Sequence, residues 1–181
     1  MIKPTKFKIW DIIKRVLKDG IGYKVLVWDD EQDQSFTNYQ MRGNDASITA
    51  GDIGDGGNVD FSADAYVSKT DDLDIYGILI KCNVKGGLYF KSNNTLSIKV
   101  DDRKMEFNLD DDFYSINEFS NFGDIYYIEI CRFLVNKEIL KLIADSINVE
   151  FKVHGKEQTI EGYLTKKNIR RFKEFYYEYL W

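Results

Sequence analysis

The stretch from Asp124 to Trp181 constrains the chain most, because it alternates strand and helix signals with clear boundaries. Asp124-Ile-Tyr-Tyr-Ile-Glu-Ile-Cys-Arg-Phe-Leu-Val135 is β-branched and aromatic, which suits a pleated, mostly buried strand. Tyr126, Ile128 and Ile130 share one face of it, since side chains alternate with period two. Asn136 ends the strand and can cap a helix by accepting an orphan backbone N–H. That helix is predicted from Lys137 to about Ser146, with Lys137, Glu138, Lys141 and Asp145 as its polar stripe. The rest of it is apolar over a wide arc, so it packs deeply. Val149 to Val153 alternates again, His154-Gly155 reads as a turn, and Glu157 to Leu164 is the return strand. Thr165 offers a second N-cap, and Ile169, Phe172, Tyr176 and Leu180 mark the buried face of a last helix.

Upstream, residues 7–18 are predicted to form a short helix, and Tyr23 to Trp28 and Phe36 to Met41 a pair of strands. Gly43 to Asp64 is rich in Gly, Asp, Asn and Ala and reads as a long surface loop. Strands are expected over Val59–Val67, Asp74–Val84, Leu88–Lys91, Thr95–Val100 and Lys104–Leu109. Asp74-Ile-Tyr-Gly-Ile-Leu-Ile80 matches Asp124-Ile-Tyr-Tyr-Ile-Glu-Ile130 at five of seven positions. This raises the expectation of a repeated β-unit, about 74–109 and 124–164. The fold class expected is α+β, a mostly antiparallel meandering sheet packed against two or three helices. A chain of 181 residues fits a single domain, 1–181, and any boundary would fall within the 43–64 loop. A domain of this size buries roughly 70% of its unfolded surface, so it needs no disulfide or metal to fold.

Several function classes are disfavoured. A net charge of −5 is the wrong sign for a general nucleic-acid or membrane-surface binder. No apolar run approaches the roughly 20 residues that span a bilayer. No apolar core follows the basic N-terminus, so the expected location is cytoplasmic unless a leader has been removed. Two cysteines, Cys82 and Cys131, make no disulfide framework or zinc spacing and are read as reduced, buried thiols. The single histidine, His154, sits in a predicted turn, which leaves a Cys–His or Ser–His site poorly supplied. No nucleophile elbow and no phosphate-binding glycine motif occurs.

Two stretches carry site-like chemistry. Asp52, Asp55, Asn58, Asp60 and Asp64 combine oxygen ligands with glycines, as a calcium loop would, although the spacing is not that of an EF-hand. The C-terminal helix has aromatics beyond those one buried stripe uses. Tyr177, Tyr179 and Trp181, with Arg171, are the expected contact patch, being residue types favoured in interface cores. The leading expectation is therefore a non-catalytic protein-interaction module, such as an inhibitor, an immunity-type protein or an assembly subunit. Its partner is a protein, a second copy included, with no membrane or nucleic acid. The alternatives are a metal- or carboxylate-dependent hydrolase built on Asp52–Asp64 and a calcium-stabilised structural module. No cofactor is expected beyond that calcium.

Overall fold

A computed structural model describes residues 24–29, 37–42, 44, 46–51, 61–69, 73–90, 95–121, 123–156 and 158–181. The helix expected over 7–18 lies outside them. Among the described residues ten strands occur in chain order. They are β1 Lys24–Asp29, β2 Thr37–Arg42, β3 Ser47–Gly51, β4 Phe61–Lys69, β5 Asp74–Lys85, β6 Thr95–Val100, β7 Arg103–Asn121, β8 Asp124–Val135, β9 Val149–His154 and β10 Thr159–Leu164. Two helices, α1 Lys137–Asp145 and α2 Lys166–Phe175, complete the described elements, and α2 runs on as a π-helical segment, Tyr176–Leu180. All pairings are antiparallel, in the order β1-β2-β4-β5-β8-β7-β6-β9-β10-β3. The fold is α+β with a small helical share.

The sheet curls on itself. β7 is long enough to serve both halves: Arg103–Asn108 pair with β6, and Tyr114–Asn121 pair with β8. On the far side, the chain leaving β2 bonds to the start of β4, through Ala46 N–H to Phe61 O at 3.0 Å and Ala63 N–H to Asn44 O at 3.3 Å. It then pairs with β10 as β3. The two halves thus face one another, and Phe61 of β4 stacks on Phe151 of β9 with centroids 4.6 Å apart. Inward residues of β4, β5 and β8 meet those of β6, β9 and β10 in one apolar core. Ile143 of α1 and Phe172 of α2 close one end of it, against Ala63, Ile80 and Phe151.

The caps form as their residue types demand. The Asn136 side chain accepts the Ile139 N–H at 3.0 Å. Thr165 and Asn168 form a reciprocal capping box. Asn136→Ala is expected to lower stability by about 1 kcal/mol, read as a fall in melting temperature of about 3 °C. An unchanged melt would mean that packing alone fixes the start of α1.

Three expectations are corrected. The 43–64 stretch is not simply a surface loop, because it holds β3, a fully buried Asn44 and the start of β4. Ser-Ile-Thr-Ala-Gly is too small and polar to announce itself as a strand. Leu88–Phe90 forms no strand, because its amides bond to a side chain instead of a neighbouring backbone. β7 does not stop at Leu109. It crosses Asp110–Phe113 as a bulge, four residues opposite Arg132 alone, and continues to Asn121. Tyr126, Ile128 and Ile130 do share one face of β8 and are half-buried there, while the fully buried Glu129, Cys131 and Phe133 line the other. The proposed repeat finds only partial parallels in the pairing. β5 lies beside β8 and β6 beside β9, but β7 joins β6 to β8 while β10 joins β9 to β3.

Candidate functional site at the C-terminal helix

The capping box aims α2 so that Asn168, Ile169, Arg171, Phe172 and Phe175 face inward. Asn168 donates to the buried Asn44 Oδ1 at 2.8 Å, and Asn44 in turn gives its backbone N–H to Asp64 Oδ1 at 3.0 Å. These bonds fix the rotation of the helix. Its outward stripe is Lys166, Arg170, Lys173, Tyr177 and Trp181, at steps of four, three, four and four, and every member is exposed. Lys167 flanks it, also exposed.

The aromatic end of the stripe is held in place. The Tyr177 and Trp181 rings lie 5.6 Å apart, and Tyr176 meets Tyr177 edge-on at 5.2 Å. Tyr177 donates its hydroxyl to Asp145 at 2.9 Å, across to the last residue of α1. Lys141 bonds the same carboxylate, and Lys173 stands 4.0 Å from it. The bond from Lys141, helped by Tyr177, holds the Asp145 carboxyl below the usual aspartate value. The bond to Asp145 raises the Tyr177 phenol in turn. Despite these ties Trp181 remains 82% exposed and Tyr177 40%.

The expected patch is therefore divided. Tyr177 and Trp181 are presented to solvent. Arg171 is 3% exposed, because it lies three and four residues from Asn168 and Phe175 on the inward face. Tyr179, four residues past Phe175, is half-buried against that ring at 5.4 Å and against Tyr39 at 5.3 Å. The cations that share the surface with Tyr177 and Trp181 are Lys166, Arg170 and Lys173. Helical phase could have found them in the sequence.

The acidic stretch offers less. Asp52, Asp55, Asn58 and Asp60 lie outside the described residues. Asp64 is 5% exposed and accepts the Asn44 amide and the Ser62 hydroxyl, so it serves the β2–β4 junction. Among the described residues no group of three or more His, Cys, Asp or Glu is placed to hold a metal ion. Cys82 and Cys131 are free, and burial pushes both thiols well above their ordinary value, away from nucleophilic thiolates. The His154 ring lies against Thr159. A groove of about 460 Å³ on the outer face of β6, β9 and β10 is lined by Lys99, Lys104, Glu150, Lys152, Glu161 and Tyr163. Its charges neutralise one another, through Lys99–Glu150 at 3.6 Å and the Lys152–Glu161 pair. No helix among the described residues is long and apolar enough to cross a membrane.

No protein-family model matches the sequence, and neither a similar curated protein nor a similar solved structure was found. The functional reading thus rests on the chemistry of these surfaces.

Proposed function

We propose that this protein is a non-catalytic interaction module that docks its C-terminal helix on an acidic protein partner. The observation that carries the reading is the 82% exposed Trp181, ring to ring with Tyr177, at the end of a cationic stripe in a chain of net charge −5. An exposed aromatic pair loses little side-chain entropy on binding, and Tyr and Trp are the residue types that dominate interface energetics. The cations add complementarity to a carboxylate-bearing surface and speed encounter with it, an effect weakened by salt. An inhibitor, an immunity-type protein or an assembly subunit would use such a surface.

Two variants test the reading. Tyr177→Ala with Trp181→Ala should lower the melting temperature by only about 2–4 °C, the worth of the Tyr177–Asp145 bond, and abolish capture of the partner that the wild-type chain retains from its native extract. Lys166→Glu with Arg170→Glu should weaken capture and remove its salt dependence. Undiminished capture by both variants would sink the proposal. Unfolding of the aromatic variant would reassign those rings to the core.

A further inference from the structure

The groove on the outer face of β6, β9 and β10, at about 460 Å³, falls within the size range of small-molecule sites. Register sets the side chains around it in two rows that run across the strands. Glu106, Ser97, Lys152 and Glu161 stand in one row, and Lys104, Lys99, Glu150 and Tyr163 in the other. Ser97 is only 5% exposed and donates its hydroxyl to Glu106 Oε1 at 3.2 Å, so it forms a polar floor. Around it each lysine stands beside a carboxylate. Lys99 is 3.6 Å from Glu150, Lys104 is 3.5 Å from Glu106, and Lys152 pairs with Glu161. All three pairs are about half exposed, and pairs so open to solvent hold their geometry loosely. Tyr163, 40% exposed, adds an aromatic ring to the lining.

We propose that this groove binds a neutral oligosaccharide. Its paired charges select against an ionic ligand, which must break a lysine–glutamate pair and strand the partner that it displaces. An apolar ligand would desolvate the same charges with nothing in return. A peptide held through its backbone needs a bare sheet edge, whereas β6, β9 and β10 each have a neighbouring strand on both sides. A sugar hydroxyl both donates and accepts. It can therefore accept from a lysine and donate to the glutamate beside it, so the pair is bridged and neither charge is stranded. Hydrogen bonds to charged groups are also stronger than those between neutral ones. Tyr163 supplies an apolar face for the carbon-bound side of a sugar ring. The site is independent of Tyr177, Trp181 and the cationic stripe.

The test is titration followed by amide NMR spectra, with trisaccharides of glucose, galactose, mannose and N-acetylglucosamine as probes. At millimolar sugar at least one of them should shift the resonances of Lys99, Lys152, Glu161 and Tyr163, and added sodium chloride should not weaken its binding. Tyr163→Ala should weaken that binding about tenfold. Lys152→Met with Glu161→Met removes one pair without changing the net charge and should abolish it. Core resonances that stay in place show that each variant is folded. Tyr177→Ala with Trp181→Ala should bind the sugar as the wild type does, which separates this site from the partner-capture surface. Immobilising the same trisaccharide through its reducing end distinguishes two sources of the ligand. Retained binding supports a glycan chain carried on a larger molecule, and lost binding supports a free sugar. Groove resonances that none of the four sugars moves overturn the proposal. So do groove shifts produced by inorganic phosphate or a Gly-Ser peptide in place of every sugar, and so does a sugar affinity that survives both groove variants.

Discussion

Replacing Glu129 by alanine should lower stability by about 4 kcal/mol, the larger of the two main effects expected here. Glu129 is fully buried on the inward face of β8. Its carboxylate accepts the backbone N–H of Leu88, of Tyr89 at 3.0 Å and of Phe90 at 3.3 Å, and the Tyr114 hydroxyl at 2.8 Å. The segment it holds spans the end of the core away from the helices. Gly86, Gly87 and Tyr89 all have positive φ, which bends this segment so that its successive amides converge on one acceptor. Gln158 and Lys156 tie it from outside, through Gln158 Nε2 to Gly87 O at 2.7 Å and Lys156 N–H to Leu88 O at 2.8 Å. Leu88 and Phe90 then fill the core below. Without the carboxylate, three buried donors lose their acceptor, at about 1–3 kcal/mol each before relaxation. Solvent entry at this end recovers part of that. For a chain of this length the loss reads as a fall of about 8–16 °C in melting temperature. Glu129→Gln keeps the shape but turns an acceptor towards the amides into a donor, so about half the loss is expected. Tyr114→Phe removes one bond and should cost about 1 kcal/mol. Chemical unfolding followed by circular dichroism checks the series. A Glu129→Ala variant within about 1 kcal/mol of wild type would show that packing, not the carboxylate, holds the segment.

That carboxylate also marks where the sequence stops being legible. Asn136, Thr165 and the apolar periodicity between Asp124 and Leu180 announce their elements, and the structure places β8, α1, β9, β10 and α2 with its π-helical continuation within about two residues of the expected bounds. Glu129 within β8 reads as a residue facing water, because the partners that satisfy it are amides some forty positions away and backbone groups leave no trace in composition. β3 is hidden for a related reason: it is defined by the edge of β10 that it covers, and Ser47-Ile-Thr-Ala-Gly51 carries little pattern of its own. At the candidate site, Tyr177 and Trp181 are readable as surplus aromatics. Arg171 and Tyr179 depart from the expected patch because helical phase, not residue type, sets the face each occupies. Arg171 falls between Asn168 and Phe175 on the inward face whatever its charge.

Arg132→Leu should cost about 3 kcal/mol, and Asp110→Leu about 2, while the two together should cost less than their sum by about 2 kcal/mol. The pair lies at the bulge where β7 passes from one half of the sheet to the other. Arg132 Nε stands 2.6 Å from Asp110 Oδ2, and both side chains are nearly buried, 13% and 10% exposed. The guanidinium packs against two neighbouring rings, Phe113 with its centroid at 4.7 Å and Tyr66 at 5.1 Å. Gly77 makes the space, since a Cβ there would come within 2.8 Å of Arg132 Cγ. Asp110 also accepts the Asp112 amide at 3.3 Å, so the same carboxylate shapes the bulge and neutralises the arginine. Removing Arg132 strands Asp110 in a desolvated corner. Removing Asp110 leaves the cation its two rings, and that is why the second cost is the smaller. Removing both leaves no stranded charge, and leucine can pack where the arginine stem lay. A double-mutant cycle from urea unfolding measures the coupling. A coupling near zero would mean that the contact with the two rings, and not the ion pair, sets the bulge opposite Arg132. The bulge would then survive Asp110→Leu unchanged and be lost only with Tyr66 or Phe113.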